Sequence, residues 1–370
     1  MRQFNLRCCF PSFGPAQSRK ANQGGSRVAR FRYVPILRWK EGEQDGVRFL
    51  QASDRTGIIP IFMLEAEQYK GRKATKTKVA VSSADHFVTQ VLKAWGKDPF
   101  YLDASGMMPA GGVQHPILAI ATSARAQGLQ MIPATPLGAP PLYAAAVAAI
   151  AGHDRRGVAL RVDLQEFSSA ASWAGAWPHP LAETDLIADF TTNIGAVAAL
   201  GSHIQTVFQG LHLGTGWRTV TVAGSSMPPN FSGFTKGLHT IQMENYALWS
   251  TLHPAMPYRL DYGDYATPSL GVLPPGISWG YPINARYTIP GQYLICKGVK
   301  TIGAGSVDMA PQLVGHANDI LTYSGRHRQS GCWADDEIDA IAAGKAPQNL
   351  LHWVKIGVNR HLTLLRRIVP

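Results

Sequence analysis

The chain has 370 residues, 45% of them hydrophobic, enough for a sizeable core in one large domain or two smaller ones. Its formal net charge of +11 suggests a nucleic-acid partner, but nine of the 35 Lys and Arg fall in residues 1–40, which hold no acid, leaving 26 bases against 24 acids elsewhere. No stretch approaches the roughly 18–20 apolar residues of a membrane span, and Cys8, Cys9, Cys296 and Cys332 show no CxxC spacing, which speaks against a disulfide framework and fits a reducing cytoplasm.

Residues 1–30 are rich in Gly, Ser, Gln and Arg without a hydrophobic period and read as an unfolded basic arm. No apolar run of a secretory signal follows Arg2 before Pro11 and Pro15. Order is expected from Phe31. The run 33–38 predicts a buried strand, 41–53 an amphipathic helix carrying Val47, Phe49 and Leu50, and 58–64 a second strand. Strand, helix, strand is the signature of a parallel sheet. The alternation repeats with helix 84–96 and strand 99–103, helix 116–127 and strand 129–135, and helix 141–151 and strand 157–164. Strand 185–190, helix 194–209, strand 218–223 and strand 258–265 complete the series.

Eight apolar strands separated mostly by helices predict a (β/α)8 barrel of the TIM type. An open doubly wound sheet would carry a Gly-rich fingerprint after its first strand, where Trp39-Lys-Glu-Gly-Glu43 stands instead. Beyond residue 270 the pattern changes to a turn at 273–276, strands at 285–288 and 292–297, and helices at 309–323, 335–343 and 349–368. These predict a decoration (271–370) on a barrel core (about 31–270), all within one domain spanning 31–370.

In such a barrel the active site lies at the carboxyl ends of the strands. The polar residues expected there are mostly acidic: Glu65, Asp103, Asp163, Glu166, Asp189, Asp261 and Asp264. Converging carboxylates would hold a divalent cation such as Mg2+ or Mn2+, with Asp163 and Asp189 the first candidates as ligands. Asp163, Asp189 and Asp264 are the candidate catalytic acids, and Arg161 alternates with Asp163 on one strand face and could pair with it. The competing reading makes each acid a cap on the helix that follows its strand. Tyr262-Gly-Asp-Tyr265 suggests either a β-bulge or a close approach of ligand to backbone.

The basic loop after the second strand carries Lys70, Arg72, Lys73, Lys76 and Lys78, a candidate phosphate-binding rim. Arg326 and Arg328 form a second candidate anion site in a loop between two helices. A solvated charged loop is the alternative for both. The twelve histidines show no metal-binding spacing, and no Walker loop or GxSxG elbow is present.

The ordered part resembles the beta family proteins. The resemblance is carried by Tyr33-Val-Pro-Ile-Leu-Arg-Trp-Lys-Glu-Gly-Glu43, Ile59-Pro-Ile-Phe-Met-Leu-Glu65, Tyr262-Gly-Asp-Tyr265 and the stretch from Trp353 to His361. It covers roughly residues 31–365 and leaves the arm outside. It implies a barrel-like fold and a setting among phage, mobile-element or defence genes, with no established reaction. The family pattern often ends in a double His, where this chain has Arg360-His361.

Three functions remain open on this reading. The first is a cytoplasmic barrel protein that engages nucleic acid or nucleotide phosphates through its arm and the 70–78 loop. The second is a metal-dependent phosphoester hydrolase with carboxylates at the barrel mouth. The third is a noncatalytic scaffold that binds a protein partner through its C-terminal helices.

Overall fold

Strand β1 (Tyr33–Arg38) sets the rule for the barrel: Val34 and Ile36 point inward, while Tyr33 and Leu37 pack outward under the helices. The computed structural model describes residues 31–75, 79–108, 113–199, 201–212, 216–270, 282–347 and 349–369. The barrel continues through β2 (Ile61–Met63), β3 (Phe100–Asp103), β4 (Met131–Pro136), β5 (Val158–Val162), β6 (Thr184–Asp189) and β7 (Thr219–Gly224). Strand β8 (Gly237–Gln242) leaves the ring, and β9 (Leu260–Asp264) closes it by pairing in parallel with both β7 and β1. The eight-stranded parallel barrel expected from the apolar rhythm is therefore the fold.

The barrel is filled, not hollow. Val34, Ile36, Ile61, Tyr101, Ala134, Ala159, Ile187 and Ala223 form an inner cluster with Tyr265. Gly263 sits where this packing is tightest: a Cβ there would lie 2.8 Å from the Val34 carbonyl and 2.9 Å from Ala223 Cβ. Its ladder register is unbroken on both sides, so the Tyr-Gly-Asp-Tyr segment is a close-packed strand and contains no bulge.

Outside the strands run α1 (Glu41–Arg48), α2 (Ala52–Arg55), α3 (Ser83–Ala94), α4 (Ile117–Ala126) and α5 (Pro141–Asp154). They continue with α6 (Leu164–Ser168), α7 (Ala170–Trp173), α8 (Ile194–Ala199), α9 (Gly201–His212) and α10 (Glu244–Leu252). The helix predicted over 41–53 breaks in two. Gln51 turns extended (φ −66°, ψ 152°), and Phe49 leaves the helical path to stack on Trp333 at 4.3 Å. A contact from far along the chain outranks local propensity there.

The decoration reaches further back in the sequence than expected. Strands β10 (Asn284–Ile289) and β11 (Gln292–Lys297) form a hairpin, but the third strand of their antiparallel sheet is β8, from the connection between β7 and β9. Helices α11 (Met309–Thr322) and α12 (Trp333–Ala342) cover one side of this sheet. Helix α13 (Leu350–Ile368) packs on this sheet through Trp353 and Ile356 and also joins the helical ring of the barrel. Gly42 and Gly46 on α1 let it come close, since a Cβ at either would lie 2.7 Å from a methyl of Val354 or Val358. From Ile356 to Arg366 the helix is buried all round, including Arg360 and His361. Among the described residues no helix is long and apolar enough to cross a membrane. Cys296 and Cys332 are buried free thiols.

Candidate functional site

Strand alternation carries two polar layers into the barrel, one at each end. At the amino end Asp185 accepts hydrogen bonds from Tyr101 Oη (2.7 Å), Thr219 Oγ1 (2.7 Å) and Arg218 Nε (2.9 Å). Asp261 stands at this end too, held by the Arg32 backbone N–H (2.9 Å) and Arg259 (2.9 Å). Burial pushes its carboxyl up to about 6 against the pull of those two partners. Asp261 therefore lies away from the mouth, where the strand-end reading had placed it.

At the carboxyl end Arg161 reaches across the barrel. Its Nη1 pairs with Asp103, and its Nη2 donates to Asp189 Oδ2 (2.6 Å) and Tyr265 Oη (3.1 Å). Tyr265 in turn donates to Asp189 (2.5 Å), Ser105 donates to Asp103 from its N–H (3.0 Å) and Oγ (2.6 Å), and the Thr191 N–H donates to Asp189 (3.1 Å). Burial disfavours the charged guanidinium, but the Asp189 and Asp103 carboxylates outweigh it and hold Arg161 charged well beyond the ordinary range. Arg161 Nε is buried without a partner. With its two carboxylates nearly saturated, this layer closes the top of the barrel core and leaves the Arg161 side chain only 14% exposed.

The other candidate acids do not join it. Asp163 caps α6: its carboxylate accepts from the Glu166 N–H (2.9 Å), and the Glu166 carboxylate accepts from the Asp163 N–H (2.9 Å). This reciprocal capping box consumes both acids locally, and Arg161 pairs with Asp103 and Asp189 in place of Asp163. Asp264 faces outward from the barrel. There it accepts from Tyr33 Oη (2.8 Å) and the Ala266 N–H (2.9 Å) and lies 2.8 Å from His361 Nε2. Asp163, Asp189 and Asp264 thus occupy three separate bonding sets. Among the described residues no three His, Cys, Asp or Glu side chains group as metal ligands, so the carboxylates do not present the donor set a Mg2+ or Mn2+ ion needs.

Of the basic candidates, Arg326 and Arg328 are occupied within the fold. Arg326 Nη2 donates to Asp339 (2.7 Å), and Arg328 donates to Asp339 (2.8 Å) and Asp336 (2.6 Å) on α12. Lys70, Arg72 and Lys73 are exposed, while Lys76 and Lys78 lie outside the described residues. Arg72 is fixed by a two-way backbone bridge to Val81 (3.0 and 2.8 Å), and His86 Nδ1 lies 2.8 Å from the Lys70 carbonyl. These contacts dock the loop on α3. Arg72 then shares a groove of about 380 Å3 with Arg48 on α1 and His86 and Lys93 on α3. Glu41 and Asp45 also line it, but Asp45 is already paired with Lys355 Nζ at 2.6 Å. The sequence named Arg72 but not Arg48, His86 or Lys93, which stand on helices and converge only once α1 and α3 pack.

Buried acids also lie outside the strand-end set named from the sequence, Asp54, Asp185, Asp335 and Glu43 among them. Glu43, in the first turn of α1, is 5% exposed, and burial pushes its carboxyl up to about 8 despite the nearby Arg38 and Lys40 charges.

Comparison with protein-family models matches residues 33–366 to the model described as Beta protein. No curated protein matches the chain.

Proposed function

The chain belongs to the Beta protein family, and from that premise we propose that it is a barrel protein that engages the phosphates of nucleic acid along the basic groove between α1 and α3. One observation carries the reading: Arg48, Arg72, His86 and Lys93 come from three separate segments yet line one concave surface. Clustered cations on a groove neutralise phosphates and release counterions, with no need of base contacts. The groove offers neutral hydrogen-bonding side chains beside its charges, as a backbone-tracking surface requires. The arm would add sequence-independent charge to the same duty. A setting among phage or mobile-element genes is part of this proposal and follows from the family resemblance alone.

The hydrolase reading has less support, because its three acids point into three different bonding sets. The groove is tested by fluorescence anisotropy with labelled DNA and RNA at two salt concentrations. The triple variant R48A/R72A/K93A should bind at least about tenfold more weakly at low salt. Unchanged affinity in the triple variant would remove the groove from the function.

A further inference from the structure

The face of the accessory sheet that carries Tyr293 and Ile295 toward the barrel also carries two cations. Arg286 stands opposite Ile295 in the β10–β11 ladder, and Lys297 lies two residues further along β11 on the same face. Arg286 Nη1 donates to the Thr267 carbonyl (2.9 Å), its Nη2 to Ser269 Oγ (3.3 Å), and its guanidinium lies 5.2 Å from the centre of the Phe231 ring. Lys297 Nζ donates to the Phe231 carbonyl at 2.7 Å, with 9% of the residue exposed. The two charges thus converge on Phe231. Its loop follows β7, the seventh barrel strand, while Thr267 and Ser269 follow β9, the eighth.

Among the described residues neither cation has a carboxylate counter-ion. Every Asp and Glu of the chain lies among the described residues, and none forms an ion pair with Arg286 or Lys297. Burial alone drags the Arg286 guanidinium down to about 10 and lowers the Lys297 ammonium, with no opposing carboxylate. Arg161, Arg218 and Arg360 are each ion-paired by contrast. Buried charge is costly unless paired, and carbonyl and hydroxyl dipoles offset only part of that cost.

We propose that Arg286 and Lys297, with Ser269, form a binding site for the phosphate group of a small ligand at the carboxyl ends of the seventh and eighth barrel strands. The guanidinium supplies a bidentate fork and the ammonium a point charge, which together match a dianion; a single carboxylate would leave one cation uncompensated. The loops after strands seven and eight are where barrels of this kind frequently hold phosphate. Arg286 is partly exposed, so the site has an opening. It shares no residue with the α1–α3 groove and stands or falls separately from it.

The test is isothermal titration of the full chain with inorganic phosphate, AMP and adenosine. Phosphate and AMP should bind and adenosine should not. R286Q and K297M should each weaken binding by at least about tenfold, while R48A/R72A/K93A should leave it unchanged. Because K297M leaves the Phe231 carbonyl without its donor, a thermal-shift series with R286Q accompanies it: phosphate should raise the melting temperature of the parent chain and not that of R286Q. Absence of binding to the parent chain at millimolar phosphate would overturn the proposal. So would binding abolished by the groove variant and indifferent to R286Q and K297M, which would assign the phosphate to the groove.

Discussion

Asp264 Oδ2 and His361 Nε2 lie 2.8 Å apart, and neither side chain has any exposed surface. The contact joins the last barrel strand to the last helix across 97 residues of sequence. Thr288 Oγ1 extends it, 3.0 Å from His361 Nδ1, and the His361 ring stacks on Tyr293 at 5.7 Å. Barrel, α13 and accessory sheet therefore meet at one buried polar point. His361 thus serves as a structural clasp between them.

Breaking that clasp at one partner should be expensive. Burial raises the Asp264 carboxyl, but the charge and hydrogen bond of His361 outweigh it, leaving the group below its ordinary range. A depressed carboxylate contributes stability above its unfolded value and loses it as pH falls through the folded one. D264N should therefore destabilise the fold by about 3–5 kcal/mol at neutral pH and shrink the loss on acidification. Urea unfolding at neutral pH and in the acid range reads both. An unchanged midpoint at neutral pH would show that the pair adds nothing.

Arg161 makes a second case, because it separates two acids as well as satisfying them. R161M would leave Asp103 and Asp189 facing each other across the mouth without their shared cation, at a cost of about 3–5 kcal/mol. Adding D103N and D189N to R161M should recover part of that loss, since the repulsion disappears with the charges. Thermal melts of the single and triple variants decide it. A triple variant less stable than R161M would mean the layer is held by packing and not by charge.

The groove makes a quantitative prediction about salt. Each phosphate contact contributes a slope of about −0.9 to the log–log dependence of duplex affinity on salt. Removing Arg48, Arg72 and Lys93 should therefore flatten the slope by up to about three. R326A/R328A should leave the slope unchanged, because Arg326 is already paired with Asp339 and Arg328 with Asp336 and Asp339. Equal slopes for all three proteins would place the phosphates elsewhere.

The barrel was legible in the sequence because parallel strands are buried on both faces, which writes them as continuous apolar runs. Strand β8 has no such signature: its residues alternate between half-buried and exposed, and its pairing with β11 comes from sequence 50 residues away. The cap at Asp163 was readable because its partner stands three residues on. The partners of Arg161 were not, since Asp103 lies 58 residues before it and Asp189 28 after, and only closure of the barrel brings them together. Arg286 and Lys297 left a fainter trace: residues 265–307 contain no Asp or Glu at all. A local charge count records that as a mildly basic stretch, and burial turns it into a problem of uncompensated charge.

Glu43 gives the fold a pH dependence of the opposite sign to that of Asp264. Its carboxyl titrates near 8 in the folded chain, raised first by burial and further by Glu65, with Arg38 and Lys40 pulling the other way. The unfolded chain releases this proton near the ordinary value of about 4.3. Between those two values the folded state holds a proton that the unfolded state has lost. Stability from this group is therefore complete below the ordinary range and falls as pH rises toward 8, by up to a few kcal/mol. E43Q keeps the shape of the protonated acid and has no proton to lose. Relative to the parent chain, the variant should gain stability between pH 5 and pH 8, the window set by the raised carboxyl. Denaturant midpoints at those two pH values measure it directly. If the two proteins keep a constant difference across the window, Glu43 is ionised in the fold, and Arg38 and Lys40 must outweigh its burial.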